Sequence, residues 1–198
     1  MTLPPALPRS PAELTAALEH TGYLADDGDA VTDEGARLRR IYSDKDLLAA
    51  ECLRAGSWKR LTPAELAAVV SMLIHEARRD EADLVPRIPT DEVAIAWEDM
   101  QQRWREIEAR EERAGLEVTG YPDAGIAWAV HRWASGRRLD EVLDGSELTA
   151  GDFVRRCKQI VDLLDQVAKA SQDERMRTTA RKAIDGVMRG VVAADRID

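Results

Sequence analysis

Hydrophobic side chains recur every three or four residues along most of this chain, which is the period of an amphipathic α-helix. The pattern predicts helices at residues 11–20, 33–42, 44–55, 63–79, 91–114, 123–135, 150–170 and 172–194, with a short helical turn near 139–143. The chain is therefore expected to be mainly α and to fold as a bundle of several helices.

Polar residues mark the starts of several predicted helices. A serine or threonine is followed three residues later by an acidic residue at Ser10–Glu13, Ser43–Asp46, Thr62–Glu65, Thr149–Asp152 and Ser171–Glu174. In a capping box of this spacing, the hydroxyl accepts a hydrogen bond from an amide of the first turn, and the acidic side chain reaches back to the capping residue. These pairs predict helix starts independently of the hydrophobic pattern.

The amino-terminal part is predicted to differ from the bundle. Residues 1–11, MTLPPALPRSP, contain four of the eight prolines, which is typical of a linker or of the cut edge of a longer chain. Within residues 12–42, two short segments flank Asp27-Gly28, a pair that favours a tight turn and a small β-hairpin. A helix, a hairpin and a helix together indicate a winged-helix remnant, and residues 43–198 are then the helical bundle.

The segment 91–114 carries a narrow hydrophobic stripe. Its positions alternate at spacings of four and three residues, at Val93, Trp97, Met100, Trp104 and Ile107. This spacing predicts a seam that packs on another helix. An aromatic-rich seam also fits a ligand box, but tryptophans bury large areas and are more typical of core packing.

The helix predicted at 150–170 has two different faces. One is apolar and consists of Phe153, Cys157, Ile160, Val161, Leu164, Val167 and Ala168. The other is polar and consists of Arg155, Lys158, Gln159, Asp162, Asp165, Gln166 and Lys169. The polar face is either an ordinary solvated surface, supported by pairs four residues apart such as Asp165 with Lys169, or a surface that binds a partner.

Charge is distributed unevenly along the chain. The net charge of the 198 residues is −9, which argues against a free-standing nucleic-acid binder. Residues 151–192 nevertheless contain 9 basic and 6 acidic side chains. The basic part of the chain therefore begins with the helix at 150–170.

Sequence signatures of catalysis are missing. There is no GxxxxGK[ST] phosphate loop and no GxSxG, HExxH or paired CxxC motif. His20, His75 and His131 fall in different predicted helices, and Cys52 and Cys157 occupy apolar stripes, as expected of reduced core thiols. No segment has the length and hydrophobicity of a membrane span or a signal peptide. We expect the chain to be cytoplasmic and to have no active site of its own. We also expect it to bind no metal, no cofactor and no membrane.

Two long stretches resemble a known family. Residues 22–78 resemble the junction between the wing and the helical domain of superkiller-type DEAD/DEAH-box helicases. Residues 128–168 resemble the second half of the C-terminal (DSHCT) domain of these enzymes, with a tryptophan-x-x-glycine at Trp133–Gly136 and a glycine–acid–apolar–apolar–arginine at Gly151–Arg155. The resemblance runs from about Leu18 to Val192 and is nearest to the bacterial HelY-like group.

The resemblance implies a parent enzyme that uses ATP to pull a single strand 3′ to 5′ between two RecA-like domains. In this family, a winged helix and a helical bundle complete the ring around the strand. One bundle helix, the ratchet helix, turns its polar face toward the strand. Residues 150–170 match that helix, so the resemblance assigns strand contacts to Arg155, Lys158, Gln159 and Asp162. Where this chain has Gln159, relatives often have a second arginine, and Lys158 would supply a point charge instead.

The ATPase motifs of the family are absent, so the chain resembles only the C-terminal part of such a helicase. The resemblance implies that its partners are the RecA-like domains of the same parent chain and single-stranded RNA or DNA. ATP and Mg²⁺ would bind in those other domains. The alternative is a stand-alone helical adaptor that docks on a protein through the acidic region 1–150, and a small enzyme is the least favoured interpretation.

Overall fold

A computed structural model describes residues 15, 22–25, 30–75, 85–144 and 148–194. Within these ranges the helices are α1 (Asp33–Leu38), α2 (Asp46–Ala55), α3 (Pro63–Ile74), α4 (Asp91–Ala114), α5 (Ala127–Ala134), α6 (Leu139–Leu143), α7 (Ala150–Ala170), α8 (Glu174–Val187) and α9 (Gly190–Ala194). The prediction of a mainly α helical bundle is confirmed. The helix predicted at 11–20, apart from Thr15, and the turn predicted at Asp27-Gly28 lie outside the described residues.

Helix α3 forms the centre of the bundle. Its sequence PAELAAVVSMLI is apolar on nearly every side, which is the pattern of a helix surrounded by others. Every residue from Glu65 to Leu73 is buried, and α4, α5, α7 and α8 pack around the helix. Its start has the predicted capping box, in which Thr62 and Glu65 exchange hydrogen bonds.

The carboxyl end of α3 is closed by two cations from distant parts of the chain. The Leu73 carbonyl accepts a hydrogen bond from the buried Lys45 ammonium at 3.3 Å. The Ile74 carbonyl accepts one from the Arg156 guanidinium of α7 at 3.1 Å. These carbonyls have no partner within the helix, and positive charge also stabilises the negative end of the helix dipole.

Helices α7 and α8 pack on each other and on α3. The buried positions of α7 are Phe153, Cys157, Ile160, Leu163, Leu164, Val167, Ala168 and Ala170. Those of α8 are Met176, Ala180, Ala183 and Val187. The apolar face predicted for residues 150–170 is thus part of the core, with Val161 at its half-buried edge.

The prediction of one continuous helix at 172–194 is wrong, because the chain breaks between α8 and α9. The Val187 carbonyl accepts a hydrogen bond from the Trp133 indole N–H at 2.9 Å. The Arg189 guanidinium lies over the same indole ring, 3.7 Å from its centroid. Gly190 has a φ of 49°, in the left-handed region that favours glycine. Contact with α5 therefore ends the helix.

Helix α4 packs on α2 and α3 through the predicted seam. Its buried positions are Val93, Ala96, Met100, Ile107 and Glu111. Trp97 and Trp104 are half-buried, and both indoles make edge-to-face contacts with Tyr121. The tryptophans are packing residues here, as the spacing predicted.

The segment predicted to form a hairpin contains one antiparallel bridge, between Leu24 and Val31. Backbone hydrogen bonds of 2.9 and 3.1 Å flank this bridge. The Tyr23 hydroxyl is buried and donates to Glu51 of α2 at 2.6 Å, which anchors the segment to the bundle. Its origin as a winged-helix remnant stays a prediction.

Several helix bounds differ from the predicted ones. Helix α1 ends at Leu38 rather than at residue 42, because residues 39–45 run along α7 instead. Helix α3 ends at Ile74 rather than continuing to residue 79, since the next residue is extended. Helix α5 begins at Ala127 rather than at residue 123. None of the helices in the described ranges combines the length and apolarity that a bilayer crossing requires.

Two of the predicted capping positions are also wrong. The N-cap of α2 is Lys45 and that of α8 is Asp173. Ser43 and Ser171 lie two residues earlier, and each hydroxyl accepts a hydrogen bond from the amide of the actual cap residue. Thr149 does cap α7, by accepting a hydrogen bond from the backbone amide three residues on.

Candidate nucleic-acid interface

The polar face of α7 is the candidate interface, and we call it the outer stripe. It consists of Arg155, Lys158, Gln159, Asp162, Asp165, Gln166 and Lys169. Side chains three or four residues apart lie on the same side of a helix, so the four residues that the resemblance assigns form one row. Arg155, Gln159 and Asp162 are exposed, and Lys158 is half-buried.

Arg155 is the most prominent cation in the first half of the outer stripe. Its side chain is 66% exposed and its guanidinium lies 2.9 Å from the carboxylate of Asp152, one turn earlier. Exposed pairs of this kind contribute about 0–1 kcal/mol. Such a pair exchanges readily for a stronger anion, so Arg155 is available to a phosphate.

The neighbouring Arg156 points toward α3 instead. Its guanidinium donates to the Ile74 carbonyl at 3.1 Å, as described above. The residue therefore fixes α7 on α3 and is not part of the outer stripe. The resemblance assigned the strand contact to Arg155 and not to Arg156, and Arg155 is the more exposed of the two side chains.

The second half of the outer stripe faces a segment that the sequence-based site did not include. Residues 39–45 run past α7 and leave two adjoining grooves between them. The larger groove has a volume of about 680 Å³ and is lined by Arg39, Arg40, Tyr42, Asp162, Asp165, Gln166 and Lys169. The smaller one reaches Gln159 and shares Tyr42, Asp162 and Gln166. The two grooves thus connect Gln159 to the carboxyl end of α7.

Two hydrogen bonds hold the facing segment in place. The Arg40 guanidinium donates to the Lys169 carbonyl at 2.9 Å. The backbone N–H of Tyr42 donates to the side-chain carbonyl of Gln166 at 2.6 Å. These partners are far apart in sequence, so periodicity gave no reason to place them together. The signal in the sequence was the cluster LRRIY at residues 38–42, which periodicity assigned to a helix end.

Elsewhere, titratable groups have structural roles. Burial raises the pKa of the Cys52 thiol to about 12 and that of the Cys157 thiol to about 12, so both thiols are protonated and unreactive at neutral pH. Burial also lowers the pKa of His131, although the nearby Glu65 carboxylate partly offsets this effect. Over the described ranges, no group of three or more His, Cys, Asp or Glu side chains is arranged to hold a metal ion.

Comparison with known proteins gives a consistent family. The sequence model of the DSHCT (NUC185) domain matches residues 28–194. A probable helicase HelY from Mycobacterium leprae is 42% identical over 179 residues, covering 85% of this chain and 20% of the relative. The probable helicase HelY from Mycobacterium tuberculosis H37Rv is 41% identical over 175 residues, covering 83% of this chain and 19% of the relative.

A more distant relative comes from a plant. The DExH-box ATP-dependent RNA helicase DExH9 of Arabidopsis thaliana is 24% identical over 185 residues, covering 89% of this chain and 18% of the relative. This chain therefore spans about a fifth of the length of these relatives. The matched residues 28–194 include the outer stripe, the facing segment and all the helices from α1 to α9. On this evidence the chain belongs to the DSHCT domain family.

Proposed function

We propose that this chain is the C-terminal accessory domain of an ATP-dependent 3′–5′ superfamily 2 helicase, and that it contacts the single strand through the outer stripe. The observation that carries the proposal is the combination of an exposed Arg155 with a helix whose opposite side is core. A ligand-binding surface on such a helix is rigid, because side chains packed on three neighbours hold its backbone. In this role α7 is the ratchet helix.

The dimensions of the outer stripe suit a strand. From Arg155 to Lys169 the helix rises about 21 Å at 1.5 Å per residue, which is long enough to accompany several nucleotides. Arg155 and Lys158 would meet phosphates, while Gln159 and Asp162 would meet base edges or sugars. The carboxylate of Asp162 disfavours phosphate and accepts hydrogen bonds from base amino groups.

The remaining parts of the mechanism belong to other domains. RecA-like domains of the same parent chain would bind ATP and Mg²⁺ and hold the strand, and this domain would close the ring around it. Alone, the domain would bind weakly, because each phosphate contact adds a salt slope of only about −0.7 on single strands and its net charge is −9. We expect a dissociation constant above the roughly 10⁻⁴–10⁻⁶ M of typical non-specific binding.

The test is Arg155→Ala in the full-length helicase that carries this domain. Unwinding should slow by about 3- to 10-fold, as expected for loss of a contact worth roughly 0.7–1.4 kcal/mol, while strand-stimulated ATP hydrolysis stays nearly constant. Both rates are measured on the same preparation. Equal losses of unwinding and of ATP hydrolysis would contradict a role in guiding the strand.

Arg105→Ala is the matched control. Arg105 is an exposed arginine on α4 that donates to Gln102, three residues earlier, at 2.7 Å, so it copies the local geometry of Arg155 away from the outer stripe. Its replacement removes the same charge and should leave unwinding unchanged. If both variants slow unwinding equally, net charge rather than the position of Arg155 is responsible.

A further inference from the structure

The groove between α7 and residues 39–45 contains an exposed aromatic ring that packing does not explain. Tyr42 is 78% exposed, although its own backbone is fixed by Gln166. The preceding residue, Ile41, is 2% exposed and belongs to the core. Ile41 is thus anchored in the core while the neighbouring Tyr42 faces solvent and lines both grooves.

Positive charge lies on both walls of the groove that this ring lines. Arg39 is exposed and lines the larger groove, and within residues 30–75, 85–144 and 148–194 it takes part in no ion pair. Lys169, on the opposite wall, lies 2.5 Å from the carboxylate of Asp165. Such an exposed pair holds its partners weakly. Both cations are therefore available to phosphates on either side of a base at Tyr42.

The wall formed by α7 provides hydrogen-bonding groups for a base edge. Asp162 lines both grooves and is an acceptor. Gln166 uses its carbonyl oxygen for the Tyr42 amide, and an amide side chain has two N–H donors in addition. An aromatic platform, flanking cations, and one donor and one acceptor side by side are the components of a nucleotide subsite.

We propose that Tyr42, Arg39 and the Asp162–Gln166 wall bind one nucleotide of a single strand, with its base stacked on the Tyr42 ring. This subsite continues the path of the outer stripe, since the smaller groove joins it to Gln159. The inference rests on the proposed strand contact of α7 and extends it to a second segment of the chain. Stacking tolerates any base, so the subsite grips the strand without selecting its sequence.

The test is an NMR titration of the isotope-labelled 198-residue chain with oligonucleotides about eight nucleotides long, up to millimolar concentration. Oligouridine and oligothymidine compare RNA with DNA, and an abasic strand of the same length supplies phosphates without bases. We expect the Tyr42 ring protons to move upfield with both base-bearing strands and to stay in place with the abasic strand. The ring of Tyr121, packed against tryptophans of α4, is the internal control.

Variants measure how much the ring contributes. Tyr42→Ala should weaken binding by about 5- to 100-fold, the range for loss of one stacked base, whereas Tyr42→Phe should bind like the original chain. Arg39→Gln should weaken binding and reduce its salt dependence. Because Tyr42 is exposed, its replacement leaves the core intact, which the amide spectrum verifies. Unchanged affinity of Tyr42→Ala would overturn the inference.

The pattern of shifts separates this inference from the proposed function. Shifts at residues 155–162 without any at Tyr42 would overturn the subsite and leave the strand contact of α7 standing. Shifts at Tyr42 and Gln166 without any at Arg155 would support the subsite and contradict the assigned contact of Arg155. If no oligonucleotide moves either set of signals at millimolar concentration, the subsite is overturned, and the strand contact of α7 is decided by Arg155→Ala in the full-length helicase.

Discussion

On the inner side of α7, Arg156 donates a hydrogen bond to a carbonyl at the end of α3, while on the outer side Arg155 is 66% exposed and pairs with Asp152. Consecutive residues of a helix are about 100° apart around its axis. That rotation is enough to separate two arginines into a packing residue and a candidate ligand. The comparison shows that position around the helix, and not residue type, decides the role of each basic side chain.

The two sides also differ in what their contacts contribute. A hydrogen bond from a charged group, such as the part-buried one from Arg156 to the Ile74 carbonyl, contributes about 1.5–3 kcal/mol. An exposed ion pair three residues apart contributes about 0–1 kcal/mol. The inner side therefore stabilises the bundle, and the outer side can bind and release a ligand without disturbing the fold.

The largest effect should come from shortening a side chain at the centre of the inner side. Leu164 of α7 is 0% exposed, and Leu164→Ala should lower the free energy of unfolding by about 2–5 kcal/mol because it leaves a cavity. Urea denaturation followed by circular dichroism measures the change. A loss below about 1 kcal/mol would mean that α7 is not packed in the core as described.

A smaller effect should distinguish the two arginines directly. Arg156→Ala should lower the free energy of unfolding by about 1.5–3 kcal/mol, because the Ile74 carbonyl loses a charged donor. Arg155→Ala should change the free energy of unfolding by no more than about 0.5 kcal/mol. Both variants lose the same charge and are measured by the same denaturation experiment. Equal costs would remove the distinction between the inner and outer sides.

The smallest effect concerns the other end of α3, where a carboxylate closes the helix in place of cations. Burial disfavours the charged form of Glu65, but hydrogen bonds from Thr62 and Thr90 outweigh it and lower its pKa. Because its pKa is lowered, the charged Glu65 side chain stabilises the fold at pH values above the ordinary carboxyl pKa of about 4.5. This contribution is lost as pH falls through the lower, folded-state pKa.

Replacing Glu65 by glutamine should therefore lower the free energy of unfolding by about 0.5–1 kcal/mol at pH 7. The cost should shrink as the pH falls below the ordinary pKa of the carboxyl group. Thermal unfolding of both chains between pH 7 and pH 3 measures the difference. A cost that is independent of pH would show that the hydrogen bonds do not depend on the charge of Glu65.

Local features of the fold were predictable from the sequence because local interactions produce them. The bounds of α4, α6 and α7 agree with the hydrophobic period, and the Thr62–Glu65 capping box forms as its spacing predicts. Helical periodicity did not predict the break after Val187, because the break depends on the distant Trp133 indole as well as on the local glycine at position 190. The caps at Ser43 and Ser171 failed for a related reason, since a short motif does not reveal which of two nearby polar residues begins the helix.

The candidate site was likewise predictable only in its local part. Helical spacing placed Arg155, Lys158, Gln159 and Asp162 on one polar face, and that face is solvent-exposed except for the half-buried Lys158. Tyr42 and Arg39 were missed because their contact with α7 joins segments far apart in the chain. Their binding of a strand, like that of the four stripe residues, stays a prediction until it is measured.

By itself the sequence determined that this chain is helical, where most helices run, and which side of α7 is polar, because each of these follows from interactions within about four residues. Only the tertiary structure decided which helices surround α3, that Arg156 and Lys45 close its end, and that residues 39–45 form a groove against α7. Those outcomes depend on how the helices pack, since side chains from distant segments meet only after the hydrophobic faces have selected their partners.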